Sequence, residues 1–122
     1  MEILNKENKN KLLLGDFNVD ILKIDEDTKS STFFDTLTSK LFDSHIIHLT
    51  RITPTSRTLI DNIFSNCTNH EEGISGNLTV TLSDHLAQFL VIPEETYQSP
   101  KKQNLYTYDL KNLIGKISIT IF

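Results

Sequence analysis

The sequence predicts an α+β fold, a sheet covered on one face by helix. Three observations carry that expectation. Short β-prone apolar runs at 11–17, 58–64 and 87–92 outnumber the single stretch with helical spacing. A length of 122 residues sets a prior of one domain. Composition, 38% hydrophobic and 23% charged, is that of a soluble globular chain rather than a membrane-spanning or disordered one.

Residues 2–10 read as the frayed end of a helix or a polar lead-in to a first strand at 11–17, where "KLLLGDF" sets three leucines before a glycine and an acid. "NVDILKIDEDTKS" turns polar after Ile24 and reads as a loop. In "STFFDTLTSKLFD" Phe33, Phe34, Leu37 and Leu41 recur at helical spacing behind a capping-box-like Thr32 and Asp35, so a helix is expected over 32–43. "HIIHL" (45–49) is β-branched and expected as a strand, with Pro54 punctuating the hydroxyl-rich loop after it. "TLIDNIF" (58–64) is a strand placing Leu59, Asp61 and Ile63 on one side and Ile60, Asn62 and Phe64 on the other. "NCTNHEEGISGN" is turn-rich. "LTVTL" (78–82) alternates as a strand, and "AQFLVI" (87–92) is a last strand stopped by Pro93. Residues 94–122 read as a linker-like tail ending in an apolar, β-prone stretch.

A net charge of −4 offers no bulk basic field for a nucleic acid. Both arginines, Arg51 and Arg57, fall within "TRITPTSRT", where hydroxyls surround them. Guanidinium groups grip phosphate with paired donors, although the segment by itself reads more readily as a polar surface loop with two solvated cations. The single cysteine, Cys67, excludes an internal disulfide. No secretory signal opens "MEILNKENKNK".

Three polar groups stand at strand ends or inside apolar strands: Asp16 with Asn18, Asp61, and Asp84 with His85. Asp-x-Asn after a glycine is either an Asx-turn closing the strand or a pair of side chains projecting together from its tip. Asp61, amid Leu, Ile and Phe, either faces solvent from a one-sided sheet or needs a partner, because burying a lone carboxylate costs several kcal/mol. "SDH" is either a turn with an exposed histidine or part of a site. Taken together, Asp61 beside His85 would fix the imidazole tautomer, as a carboxylate does for a catalytic histidine. Asp16 and Asp84 would offer oxygen to a hard divalent cation or accept a proton from water. Such a set suits metal-assisted attack on a phosphoryl centre.

"LLLGDFNVDILK", "TRITPTSRTLIDNIFSN" and "SGNLTVTLSDHLAQFLVI", in that order, resemble the C-terminal half of an endonuclease/exonuclease/phosphatase domain. The likeness runs over about residues 11–93, which sets 1–93 as the expected half-domain and 94–122 as its tail. "GDFN" and "SDH" are general to that superfamily. "TRITPTSRTLIDNIFSN" points to the apurinic-type endonuclease domain of non-LTR (LINE-like) retrotransposon polyproteins. The resemblance implies half of a two-sheet β-sandwich flanked by helices, acting as a Mg²⁺-dependent (or Mn²⁺-dependent) hydrolase on DNA, in the nucleus or cytoplasm and away from membranes. Carried over residue by residue, Asp16 would orient or deprotonate the attacking water and Asn18 would hold that water or a phosphate oxygen. Asp84 would contribute to the metal site or to the groups that surround its ligands, His85 would hydrogen-bond a phosphate oxygen, and Asp61 would orient His85. Arg51, Arg57, Thr58 and Ser83 are the weaker candidates for phosphate contact.

The family also has an asparagine, a metal-binding glutamate and a tyrosine upstream, whereas fourteen residues precede Gly15 here. The resemblance therefore implies a half-domain with weak divalent binding and no nicking by itself. "NLYTYDLKN" resembles the connector that leads to a reverse transcriptase. An uncovered sandwich face of several hundred Å² would forfeit on the order of 10 kcal/mol at about 25 cal/mol per Å², comparable to a whole domain's stability. From that follow the two further expectations, a marginally stable or self-associating chain and, as the alternative function, a non-catalytic remnant that pairs through its exposed sheet. A phospholipid or inositol phosphate substrate is the third alternative, disfavoured by the retroelement-like segment.

Overall fold

The computed structural model describes residues 10–67 and 73–92, together with the backbone of strands at 106–109 and 117–121. It is an α+β chain with antiparallel sheets. The first strand, β1 (Lys11–Asp16), runs beside β5 (Asp61–Ser65), with Leu12 opposite Ser65, Leu14 opposite Ile63 and Asp16 opposite Asp61. Short β2 (Asp43–Ser44) pairs on the far side of β5. On the far side of β1 lies β9 (Ile117–Ile121), itself paired with β8 (Tyr106–Asp109), giving the order β2-β5-β1-β9-β8. Residues 94–122, read from sequence as a linker-like tail, thus contribute two strands to this sheet; the alternating "ISITI" is what suits them to it. Two small hairpins complete the fold: β3 (Arg51–Ile52) with β4 (Arg57–Thr58), and β6 (Ile74–Leu78) with β7 (Ala87–Val91).

The helix α1 spans Thr28–Thr38, four residues earlier at its start than the capping-box pattern suggests. Asp27 makes the cap: its carboxylate accepts the Ser30 N–H at 3.0 Å and the Ser30 hydroxyl at 2.9 Å. The helix stops short of 43 because Leu41 takes a left-handed conformation (φ 61°), with the Leu41 and Phe42 N–H groups bonding the Thr38 and Leu37 carbonyls, a Schellman closure. Leu41 therefore leaves the apolar stripe and is 79% exposed. The stripe that remains packs well. Phe33 on α1 meets Phe17 and Phe64, with ring centroids 5.3 to 6.0 Å apart and tilted or edge-on. Leu13, Leu37, Phe42, Ile46 and Ile63 close the core around them.

Three expected strands differ from their expected spans. Residues 45–49 form no ladder beyond one backbone bond, His45 N–H to the Ile63 carbonyl at 2.9 Å; side chains take the place of the rest of a partner strand. The Asn62 amide bonds Ile46 through both its N–H and its carbonyl, Ser75 donates to the His45 carbonyl, and Asn77 donates to that of Leu49. The strand expected at 78–82 lies at Ile74–Leu78, and 79–82 form an exposed turn. Its register against Ala87–Val91 brings Gly76 under Phe89, where an added Cβ would sit 3.2 Å from the ring. The strand expected at 58–64 is divided, with Arg57–Thr58 in the small hairpin and Asp61–Ser65 in the main sheet. All of β5 is buried, and the large apolar side chains left exposed within strands β6 and β7 are Ile74, Leu78 and Val91. Among the described residues no helix is long and apolar enough to cross a membrane.

Candidate metal and catalytic site

Strand register makes the site. Asp16 ends β1 and Asp61 begins β5, and the two are direct cross-strand partners, so their side chains share a face. Gly15, at φ 149°, adopts a backbone conformation that side-chain-bearing residues avoid just before Asp16. Beyond the strand tip the Asp16 carboxylate accepts the Asn18 N–H at 2.9 Å, and Asn18 is held at φ 51°. That is an Asx-turn. Of the two readings of "GDFN" the structure shows the turn: the strand ends at Asp16, Asn18 leaves it exposed with a left-handed backbone instead of projecting beside Asp16, and the turn holds the Asp16 carboxylate at the strand tip. The next residues are stitched to the lead-in of β5 by Phe17 N–H to the Ile60 carbonyl and Ile21 N–H to that of Leu59. The Asp20 carboxylate adds a bond from the Leu59 N–H at 3.0 Å.

His85 arrives from the loop between β6 and β7. Its Nδ1 lies 2.9 Å from Asp61 Oδ2. A carboxylate can only accept here, so Nδ1 carries the proton and Nε2 is the nitrogen left for chemistry. Asp61 is 7% exposed, and the imidazole answers the question its burial poses. Donor atoms of Asp16, Asp61 and His85 all lie within 4.8 Å of one another, a group able to hold a metal ion. Two carboxylates facing each other repel, and a cation between them relieves that cost.

The remaining candidates lie around this trio in different roles. The Asp84 carboxylate is 2.7 Å from Arg51 Nε and 4.0 Å from His85 Nε2, outside the trio. The hydrogen bond from Arg51, opposed by a slight loss of hydration, holds Asp84 below the usual carboxylate range. Arg51 is thus engaged with an acid, while Arg57 is exposed. The Ser83 hydroxyl accepts the His85 N–H at 3.0 Å, shaping the loop. The Thr58 hydroxyl oxygen is buried without a hydrogen-bond partner.

Two residues that the sequence reading did not single out support the site. Thr50 is fully buried and its hydroxyl accepts the N–H groups of Ile60 (3.1 Å) and Asp61 (3.0 Å). Asn62 holds 44–46 against β5 through Ser44 and Ile46. The desolvation argument applied to Asp61 applies equally to Asn62, one residue on in the same apolar strand; for Thr50, inside a hydroxyl-rich segment, the sequence carries no comparable signal.

No protein-family model, curated protein or solved structure matches the chain.

Proposed function

We propose that this chain carries the water-activating and imidazole side of a divalent-cation-dependent phosphodiesterase site, of the endonuclease/exonuclease/phosphatase type, with DNA as substrate. The observation that supports it most is the convergence of Asp16, Asp61 and His85, 69 positions apart at the extremes, within 4.8 Å. The antiparallel sheet would be one layer of the two-layer sandwich that the resemblance implies. Asp16, with one oxygen committed to its turn, orients or deprotonates water. Asp61 fixes the imidazole, whose Nε2 accepts a proton when the ring is neutral and donates to a phosphate oxygen when it is charged.

The donor set fits Mg²⁺ or Mn²⁺ held through two carboxylates with water completing the shell, since one Asp61 oxygen is already bonded to His85. Such an ion would polarise a phosphoryl oxygen. Holding by two carboxylates also means weak binding. The test is Mn²⁺ titration followed by broadening of the Asp16, Asp61 and His85 signals, with nicking of supercoiled plasmid compared between the chain and His85→Ala. Broadening of these signals at millimolar Mn²⁺, with any nicking lost in His85→Ala, is expected. Mn²⁺ that spares all three, or nicking indifferent to His85→Ala, would remove the assignment. The exposed Ile74, Leu78 and Val91 favour a second reading, self-association through the β6–β7 face, which a solution mass measurement decides.

A further inference from the structure

The Asp61–His85 pair joins the start of β5 to the β6–β7 loop, two elements that no regular sheet connects. One short segment, residues 50–52, touches both. On one side the buried Thr50 hydroxyl accepts the N–H groups of Ile60 and Asp61, fixing the backbone that carries the carboxylate. On the other side the same segment pairs with the histidine loop: Leu86 N–H bonds the Thr50 carbonyl at 2.7 Å, and Ile52 N–H bonds the Asp84 carbonyl at 2.9 Å. These two bonds flank an isolated antiparallel bridge between Arg51 and His85. Arg51 then adds a side-chain link, its Nε 2.7 Å from the Asp84 carboxylate.

We propose that residues 50–52 form a clip that sets the Asp61–His85 distance, and that Arg51 is a positioning residue for His85, acting through Asp84, rather than a phosphate ligand. A two-bond bridge is the shortest ladder a strand pair can make, and the turn before it is exposed, with Leu82 92% exposed. Local opening of such a bridge needs far less free energy than global unfolding. A charge-assisted bond within it shifts that local equilibrium even though an exposed ion pair adds little to the stability of the whole chain. The inference concerns the geometry of the pair and holds whichever substrate the pair serves.

The test therefore reads geometry and not turnover. In the metal-free chain, at a pH well above the imidazole range, the ring nitrogen shifts of His85 should show a single Nδ1–H tautomer. In Arg51→Ala that signature should give way to a tautomer mixture, and the Ile52 and Leu86 amides should exchange about two- to five-fold faster, with core amides such as Leu13 and Phe64 unchanged. Arg51→Lys, which keeps the charge but not the planar donor, should restore part of the protection. Identical His85 shifts and amide exchange in Arg51→Ala would overturn the proposal. So would wild-type Ile52 and Leu86 amides that exchange like unprotected loop, or global unfolding of Arg51→Ala, since a half-exposed ion pair cannot hold up the fold.

Discussion

Replacing Thr50 by valine keeps the shape of the side chain and removes only its oxygen. Two buried N–H groups, those of Ile60 and Asp61, then lose their acceptor. Each orphaned donor costs about 1–3 kcal/mol, and the added methyl returns about 0.8 kcal/mol. The net expectation is a loss of about 3 kcal/mol, a large part of the ~5–15 kcal/mol that holds a domain of this kind together. Thr50→Ser removes the methyl and keeps the acceptor, so it should cost only about 1 kcal/mol. The two variants therefore rank opposite to hydrophobicity. Urea unfolding measures this directly: at slopes of ~1–3 kcal/mol per molar, Thr50→Val should lower the midpoint by at least ~1 M and Thr50→Ser by well under half that shift. A valine variant as stable as, or more stable than, the serine variant would show that these amides do not depend on the hydroxyl.

Leu41 sits in a left-handed conformation that costs an L-residue about 1–2 kcal/mol, and it is exposed. Leu41→Gly should raise stability by about 0.5–1 kcal/mol after the extra unfolded-chain entropy of glycine is subtracted, while Leu41→Ala gains nothing comparable; equal unfolding midpoints for the two variants would contradict the left-handed cap. Asp84, with its pKa lowered by Arg51, titrates below the ordinary aspartate value of about 3.9. Its contribution is therefore complete above that value and disappears as pH falls through the lower, folded-state midpoint. A carboxyl carbon titration by NMR should show that depressed midpoint, and it should move up in Arg51→Ala. Burial pushes the Cys67 thiol up from its ordinary value, so an alkylating reagent at neutral pH should label it slowly in the folded chain and rapidly in denaturant; equal rates would place Cys67 at the surface.

Much of the sheet was legible because its signals were local. "KLLLG" and "AQFLV" form strands close to where their apolar patterns put them. The helix was legible in kind but not in position. Phe33, Phe34 and Leu37 set its inner face, while its start was decided by Asp27 and its end by a left-handed leucine, a conformation no sequence rule assigns to Leu. The segment 45–49 misleads for a different reason: its backbone at Ile46 and Leu49 is satisfied by the side chains of Asn62 and Asn77, and such long-range capping leaves no periodic trace. In the site, Asp16, Asn18, Asp61 and His85 stood out because a polar group in or beside an apolar strand needs a reason. The burial of Asp61 asks for a partner, but spacing alone does not name His85 as that partner. The engagement of Arg51 by Asp84 is not legible either, because a guanidinium has the same appearance in sequence whether it awaits a phosphate or already holds an acid.

The direct pairing of Asp16 with Asp61 makes the ladder a checkpoint on assembly. A slip of β1 by a single residue against β5 would send Asp16 to the opposite surface of the sheet and drive Leu13 out from under the aromatic cluster. Misaligned molecules would lose both their interior and their paired acids in the same step. On the proposed reading of the paired acids as a cation site, a molecule able to capture a divalent ion would be one whose strands have zipped correctly, and cation uptake during refolding would serve as a clock for that event.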